Sequence, residues 1–443
     1  MKIQTRKNLV SRFLLSTLPV LALSACSSGI DRPQSNSSSG GSSYVALDDD
    51  TAADASYVRL NKLDDDVALP SVISVLFQAT DRDGIPVDTL TLDRISISED
   101  GSALPDGESA SRLTDHTFLP FIVDTVIMLD ISSSMSTNNL ATMKQAVEEL
   151  VRDPSTGQSR LFAGQRVALY TFDDTLNLIK DFSYSADHIV DALANIDLPA
   201  GIMPTDLYGS VKQAVTLWEE STSTDDIHDG AVILITDGSD TAGRSTLSSA
   251  LDSIDDRKVF AIGVGDSIDE DALQELGTAG SYMISGYDAL SATLATVRDK
   301  LARYSDSYYL LQYASPKRAA EGSSKNSDHE YRISLLNNDN SGSSSRIDGD
   351  FNAYDFSSVS PSTQIGGAAV LESGQSATYL ADTLWPVADS SYSWQVNGDC
   401  VLNSNNGDSI NITATNIGTC RLSVTDDGNY GSSATLSVPV SGS

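Results

Sequence analysis

The sequence predicts a chain in which a doubly wound α/β domain is inserted in, or flanked by, a β-sandwich and followed by a separate all-β domain. Short apolar runs alternate with longer helical patterns between residues 120 and 303, which predicts the α/β part. The segments on either side alternate apolar and polar residues instead, as antiparallel strands do. The length of 443 residues allows two to four domains of this size.

The first 25 residues have the pattern of a secretory signal. Residues 1–25 carry four basic and no acidic side chains around an apolar run that is too short to span a membrane stably. The signal ends in Leu-Ser-Ala-Cys at residues 23–26, which resembles the lipobox of bacterial lipoproteins. The resemblance implies cleavage before Cys26 and lipidation of that cysteine, and Ser27 in place of Asp favours the outer membrane. The alternative is an ordinary cleavage site with an incidental cysteine.

The exported part of the chain is strongly acidic. With 28 Lys+Arg against 61 Asp+Glu the net charge is −33, and removal of four bases with the signal makes it −37. This charge repels phosphate backbones and argues against a nucleic-acid partner. Residues 26–45 are rich in Ser and Gly and predict a flexible linker. We therefore expect a lipid-anchored protein of the bacterial cell envelope, at the outer membrane, with its periplasmic or surface face left open.

Strand-like segments lie on both sides of the α/β part. Those at residues 308–313 and 330–335 have no obvious sheet of their own. We expect them to pair with strands that precede the α/β domain. The sandwich would then consist of residues 46–119 and 304–358, with residues 120–303 as an insertion. The alternative is two separate small β units.

The last domain, residues 361–443, is predicted to be an immunoglobulin-like β-sandwich. Alternating residues such as Tyr392 and Trp394 indicate half-buried strands. Cys400 and Cys420 lie near strand ends, and an oxidising envelope allows them to form a disulfide that would stabilise the domain by roughly 3 kcal/mol. A spacer role is the more frequent one for such a domain.

The elements of the α/β part follow one another regularly. Its apolar runs, which predict strands of a parallel sheet, are residues 126–129, 167–170, 231–235 and 259–262. Its helical stripes, which predict helices on both faces of that sheet, are Leu140, Met143, Val147 and Leu150; Leu207, Val211, Ala214 and Trp218; and Leu290, Leu294, Val297 and Leu301.

Acidic and hydroxyl side chains follow these strands where a crevice is expected. Asp130, Ser132 and Ser134 come directly after the first apolar run, Asp237 follows the third, and Thr205 lies just before a helix. In a doubly wound sheet such strand ends open onto one ligand-binding crevice. Two carboxylates and three hydroxyls would form an oxygen-only site suited to Mg²⁺ or Mn²⁺.

These residues carry a family resemblance. Residues 120–303 resemble a von Willebrand factor type A (VWA) domain with its metal-ion-dependent adhesion site. Asp130, Ser132 and Ser134 match the family's Asp-x-Ser-x-Ser, Thr205 its threonine, and Asp237 the aspartate of its Thr-Asp-Gly. The resemblance implies that the hydroxyls bind the cation, that the carboxylates act directly or through water, and that a protein partner offers an acidic side chain to the metal.

The same loop also resembles the inserted domain of integrin β chains, where acidic residues bind a second, regulatory ion. Residues 136–139 are Ser, Thr, Asn and Asn here, so no second ion site of that kind is expected. The loops at residues 198–203 and 265–271 are expected to determine partner specificity.

We expect a binding or adhesion protein rather than an enzyme. The alternatives are an envelope structural or assembly factor with a vestigial metal site and, disfavoured, a hydrolase. No zinc-binding or nucleophile motif contains one of the four histidines, which are His116, His188, His228 and His329. His228 is expected to be solvated at the edge of the sheet opposite the metal.

Overall fold

The computed structural model describes residues 53–104, 111–115, 121–224, 226–319, 327–386 and 388–442. The signal at residues 1–25, Cys26, the linker at residues 26–45 and His116 lie outside the described residues. Within the described part of the chain, no helix is both long and apolar enough to cross a membrane.

The strands, in chain order, are β1 (Arg59–Ala68), β2 (Val72–Thr80), β3 (Ile95–Glu99), β4 (Ser102–Ala103), β5 (Arg112–Asp115), β6 (Phe121–Asp130), β7 (Gln165–Phe172), β8 (Leu176–Ser183), β9 (Ser221–Thr222), β10 (Ile227–Thr236), β11 (Lys258–Val264), β12 (Gly280–Ile284), β13 (Tyr308–Ala314), β14 (Asp328–Leu335), β15 (Arg346–Asn352), β16 (Ser362–Gly366), β17 (Leu371–Glu372), β18 (Ser376–Leu384), β19 (Tyr392–Gly398), β20 (Cys400–Asn405), β21 (Ser409–Ala414), β22 (Gly418–Asp426) and β23 (Ser432–Ser441). The α-helices are α1 (Thr137–Val151), α2 (Ala186–Ala194), α3 (Leu207–Ala214), α4 (Leu247–Ile254), α5 (Glu270–Leu276) and α6 (Leu290–Asp306). Short 3₁₀ turns occur at Leu92–Arg94, Tyr287–Ala289 and Ser343–Ser345.

One seven-stranded sheet organises the α/β domain, in the order β12-β11-β10-β6-β7-β8 with β9 beside β10. Neighbours from β12 to β7 are parallel, whereas β8 and β9 pair antiparallel. The parallel strands all end at the same edge of the sheet, as the sequence predicts.

Helices cover both faces of this sheet because the side chains of its central strands are apolar on both sides. In β6, Ile127 and Leu129 pack with α1 and α6, while Val126 and Met128 pack with α3 and α4. All four side chains are fully buried. The predicted stripe of α1 is buried at its four positions, and Ser136 caps that helix by accepting from the Asn139 N–H at 3.2 Å.

Strands from before and after the α/β domain share two further sheets. Their orders are β1-β2-β13-β5 and β15-β14-β3-β4. Thus β13 lies between β2 and β5, and β14 pairs with β3. The two sheets enclose one core, in which Phe77 stacks on Tyr309 with ring centroids 5.7 Å apart. At the junction with the α/β domain the rings of Phe121 and Tyr308 lie 5.9 Å apart.

The C-terminal region has two four-stranded sheets, β16-β18-β21-β20 and β17-β23-β22-β19. Cys400 and Cys420 form a disulfide with their Cα atoms 5.4 Å apart, inside a core that includes Tyr379, Ile412 and Leu422. The predicted fold class, an α/β domain with a β-sandwich and a C-terminal all-β region, is confirmed.

The C-terminal region contacts both other parts of the chain. The Glu372 carboxylate, only 5 % exposed, accepts from Ser183 Oγ at 3.0 Å and from the Tyr184 N–H at 2.8 Å. His188 Nδ1 lies 2.7 Å from the same carboxylate. Asp382 forms an ion pair with Arg112 of the sandwich. The end of β8 and the start of α2, which bind Glu372, lie at the edge of the sheet opposite the predicted crevice.

Asp426 organises the turn between β22 and β23. Its buried carboxylate accepts from the N–H groups of Ser391 and Gly428, from Thr383 Oγ1 and from Asn429 Nδ2, at 2.7–3.0 Å. Burial by itself would raise the pKa of Asp426, but these hydrogen bonds hold the pKa at about 2.

We therefore expect the C-terminal region to lose stability in acid. A carboxyl group whose pKa is lower in the folded than in the unfolded state stabilises above its unfolded value and loses that effect as the pH falls through the folded value. The window here is from about pH 4 to pH 2, and the loss is about 1–2 kcal/mol. Chemical unfolding as a function of pH checks this, with Asp426→Asn expected to flatten the profile. An unchanged slope in that variant would contradict the assignment.

Candidate metal centre

The loop after β6 places three oxygen-bearing side chains together. Asp130, the last residue of β6, is fully buried, and its Oδ1 accepts from the Ser132 N–H at 2.9 Å. Ser132 Oγ lies 3.2 Å from Ser134 Oγ. Ser134 is exposed whereas Ser132 is buried, so the group opens to solvent on the Ser134 side.

The loop that carries Thr205 is fixed to the first loop by the Ser133 side chain, which contacts the backbone of Met203. Ser133 Oγ accepts from the Met203 N–H at 2.7 Å and donates to the Met203 carbonyl at 3.0 Å. Thr205 is held from the other side, because its N–H donates to Thr241 Oγ1 at 2.8 Å. Asp206 then caps α3 by accepting from the Gly209 N–H at 3.2 Å. The position of Thr205 is thus determined by its neighbours.

Asp237 and Gly238 complete the group at the end of β10. Ser134 Oγ donates to Asp237 Oδ1 at 2.5 Å. A β-carbon built on Gly238 would lie 3.8 Å from Ser134 Oγ, 3.8 Å from Thr205 Oγ1 and 4.0 Å from Asp130 Oδ2. Oxygen atoms from three separate loops therefore surround one small space, which we call the Gly238 cradle. The five residues predicted from the sequence, Asp130, Ser132, Ser134, Thr205 and Asp237, all lie at this place.

The site holds two buried carboxylates, those of Asp130 and Asp237, whose negative charges repel each other. Burial, together with the nearby charge of Asp237, raises the pKa of Asp130 to about 6, although hydrogen bonds from Thr236 and Ser132 oppose the rise. Burial and the Asp237 carboxylate also raise the pKa of Tyr287 well above its usual value. A divalent cation in the cradle would balance the charge of both carboxylates. Such neutralisation is favourable because the buried surroundings disfavour uncompensated negative charge.

The donor set fits a hard divalent cation. Two carboxylates and three hydroxyls are oxygen donors of the type that Mg²⁺ and Mn²⁺ prefer. Among the described residues no cluster of three or more His, Cys, Asp or Glu side chains could hold a metal, so this site depends on its hydroxyls. With five donor residues, three of them neutral hydroxyls, the site can leave a bound cation electrophilic and with a coordination position for a further oxygen ligand.

Three residues support the site without having been predicted. Thr236 Oγ1 donates to Asp130 Oδ2 at 2.6 Å and also contacts Gly238. Ser133 joins the loop after β6 to the loop that carries Thr205. Tyr287 OH lies 3.5 Å from Met135 Sδ. Thr236 stands beside Asp237 in the Thr-Asp-Gly motif, so the motif contained a signal for it. Ser133 and Tyr287 had none, because their roles depend on contacts between distant segments.

Residues 124–300 match the sequence profile of the von Willebrand factor type A domain. This part of the chain is a VWA domain. The match coincides with the seven-stranded sheet and its helices and does not extend to the β-sandwich or the C-terminal region. No curated protein matches the chain.

Several solved structures resemble parts of the chain. Proximal thread matrix protein 1 from the mussel byssus is 23 % identical over 45 % of this chain and 49 % of its own, with a TM-score of 0.34. The chain thus spans about half the length of that protein, which has also been solved with a zinc-occupied MIDAS motif. A von Willebrand factor type A protein from Catenulispora acidiphila is 12 % identical over 87 % and 73 % of the two chains, with a TM-score of 0.33. The vWF domain of the type V pili tip protein Mfa5 from Porphyromonas gingivalis is 14 % identical over 42 % and 96 %, with a TM-score of 0.31. At these identities and TM-scores the similarities carry no argument about the partner or activity of this chain.

The histidines lie away from the VWA site. His228 was expected to be solvated but is half-buried, with its Nε2 2.7 Å from Asp124 Oδ2 at the opposite edge of the sheet. His188 Nδ1 lies 3.1 Å from Ser183 Oγ, which invites comparison with a hydrolase. However, Glu372 contacts the same ring nitrogen, whereas a catalytic triad needs the acid and the serine on opposite nitrogens.

Filling the cradle is expected to impair metal binding without harming the fold. In Gly238→Ala the new methyl group meets its neighbours at ordinary van der Waals distances of 3.8–4.0 Å. It would, however, occupy space that the ion and its remaining water need, so we expect affinity for Mn²⁺ to fall roughly tenfold or more. Calorimetric titration checks this, with Ser239→Ala as a neighbouring control. Wild-type affinity in Gly238→Ala would show that the ion lies elsewhere.

Proposed function

We propose that this protein is a lipid-anchored envelope protein that binds a protein partner through Mg²⁺, or Mn²⁺, at the VWA site. The observation that supports the proposal most directly is the Gly238 cradle, where hydroxyl and carboxylate oxygens from three loops surround one space open to solvent. Such an arrangement suits reversible binding, since it presents a cation at the surface of a rigid domain.

Each residue has a distinct part in this proposal. Ser132, Ser134 and Thr205 offer neutral hydroxyl oxygens, and Asp130 and Asp237 supply the negative charge, directly or through water. When bound, the cation supplies a positive centre to which the carboxylate of a partner's Asp or Glu can bind. Because three of the five donors are neutral hydroxyls, the two carboxylates at most balance the charge of the cation, and a partner carboxylate can still bind it as a further oxygen ligand.

Metal-dependent capture tests the proposal. The full chain is used to capture partners from envelope extracts in Mg²⁺ or in EDTA, followed by mass spectrometry. Under the proposal a defined protein is retained in Mg²⁺, lost in EDTA and lost with Thr205→Ala. Thr216→Ala, at an exposed threonine of the same domain whose hydroxyl donates to the Gln213 carbonyl at 2.7 Å, serves as the control. Capture that persists in EDTA would exclude the metal-mediated mechanism and favour a structural or assembly role with a vestigial site.

The anchor is tested separately. Cys26→Ser is expected to abolish incorporation of a labelled fatty acid and to move the protein from the membrane to the soluble fraction. Ser27→Asp keeps the cysteine and is expected to shift the protein toward the inner membrane, as the lipoprotein resemblance implies. Unchanged membrane association in Cys26→Ser would contradict lipid anchoring and leave the metal-dependent binding proposal intact.

A further inference from the structure

A large apolar side chain stands in solvent beside the cradle. Ile202 is 92 % exposed, more than any other large apolar residue in the described part of the chain. Single exposed apolar residues are common on protein surfaces, so the exposure by itself indicates nothing. The position is informative, because the next residue, Met203, is hydrogen-bonded through both its N–H and its carbonyl to Ser133, in the loop after β6. Ile202 is therefore held at the rim of the cradle.

The distance from Ile202 to the site is short. Ile202 and Thr205 are three positions apart in the chain, so their Cα atoms lie at most roughly 11 Å apart even in a fully extended chain. An extended peptide advances about 3.3 Å per residue. A partner segment with one side chain in the cradle could therefore place another on Ile202 from a position two or three residues away.

The same end of the sheet is strongly acidic. The loops that surround the cradle, residues 131–136, 173–175, 195–206, 237–246, 265–269 and 285–289, contain nine Asp and a single Arg. That cation, Arg244, already forms an ion pair with Asp174 at 3.1 Å. A divalent cation in the cradle would offset only part of this charge. An acidic surface would be repelled here, whereas a basic surface carrying one carboxylate would be attracted.

We infer that the VWA site selects a basic protein segment in which one Asp or Glu stands two or three residues from a large apolar side chain. The carboxylate meets the cation, the apolar side chain covers Ile202, and the flanking Lys or Arg residues face the acidic loops. This inference rests on the proposed function, because it requires a cation at the cradle.

A panel of fluorescent synthetic peptides tests the inference on the full chain in Mg²⁺. The reference peptide has a central Glu, a Leu two positions away and Lys residues in both flanks. In three companions Gln replaces the Glu, Ser replaces the Leu, or Glu replaces the Lys residues. Fluorescence anisotropy gives the affinity of each peptide at low and at high salt.

We expect the reference peptide to bind about tenfold more tightly than each companion, since covering one apolar side chain, or reversing the flanking charges, changes affinity by about that factor. Its affinity is expected to fall with added salt, as attraction between opposite charges requires. In Ile202→Ser the preference for Leu over Ser should disappear, while the preference for Glu over Gln and the dependence on Mg²⁺ remain. Ile417→Ser, at an isoleucine of the C-terminal region that is 70 % exposed, is the matched control and should retain all preferences.

The contrary outcomes separate this inference from the proposed function. If peptides with Glu bind in Mg²⁺ regardless of Leu and Lys, or if Ile202→Ser keeps the Leu preference, the inference is overturned and the proposed function stands. If no peptide binds in a Mg²⁺-dependent way, both are contradicted.

Discussion

Asp130→Asn is expected to abolish metal binding at the VWA site while leaving the protein folded and at least as stable as the wild type without metal. The wild-type carboxylate is fully buried near Asp237. The neutral side chain removes that buried charge. It can still accept from the Ser132 N–H and can donate to Thr236 Oγ1. Loss of a direct or water-mediated charged ligand should lower metal affinity by about 100-fold or more, since even supporting residues of metal sites contribute 10- to 100-fold.

Two measurements check this result. Calorimetric titration with MgCl₂ and MnCl₂ gives the affinity, and thermal unfolding in EDTA and in Mg²⁺ shows whether the metal still stabilises the variant. Asp240→Asn is the control, because Asp240 lies in the same loop as Asp237 and accepts from the Gly243 N–H at 3.0 Å. A metal-induced rise in Tm in Asp130→Asn equal to that of the wild type would show that Asp130 is not part of the site.

Glu372→Ala is expected to release the C-terminal region from the VWA domain. Removing this carboxylate leaves Ser183 Oγ and the Tyr184 N–H without the acceptor they have in the wild type. Loss of one member of such a buried charged group costs about 3 kcal/mol or more. Hydrogen exchange at the Tyr184 amide should accelerate about 100-fold if docking limits its protection.

The control for this experiment is Asp427→Ala. Asp427 is an exposed carboxylate of the same region that accepts from Ser393 Oγ at 2.8 Å, within that region. Exchange at Tyr184 should be unchanged in the control. Wild-type protection in Glu372→Ala would mean that the Arg112–Asp382 ion pair and the remaining contacts suffice for docking.

The central part of the fold could be predicted because its side chains are apolar on both faces. A continuous apolar run such as residues 231–235 predicts a buried strand unambiguously, and this run lies within β10. The outer strands were not predicted. β8 has Leu178 54 % exposed and a lysine at position 180, and each residue of β12 is only partly buried, so neither forms a fully buried apolar run. Whether an edge segment forms a strand depends more on the neighbouring strand with which it pairs than on its own sequence.

The residues that meet in the Gly238 cradle could also be predicted from the sequence to lie together, because motif order and strand ends together indicate one crevice. The supporting contacts could not. Ser133 and Met203 are 70 positions apart, and their pairing depends on how two loops meet. The same holds for Glu372 and Tyr184, which are 188 positions apart and belong to different parts of the chain.

The shared sheets have a consequence for the order in which the chain folds. Gln78 and Ser307, whose side chains are joined by a hydrogen bond of 3.1 Å, are 229 positions apart. Closing so long a loop is entropically costly, but the ends of the VWA domain meet where Phe121 contacts Tyr308. A VWA domain that folds first shortens the loop from roughly 230 to roughly 45 effective residues, which lowers the closure cost by about 1.5 kcal/mol. The sandwich is thus favoured to assemble last. A chain whose VWA domain has not folded leaves β2 without β13 and β3 without β14, so their unpaired edges are open to aggregation or proteolysis.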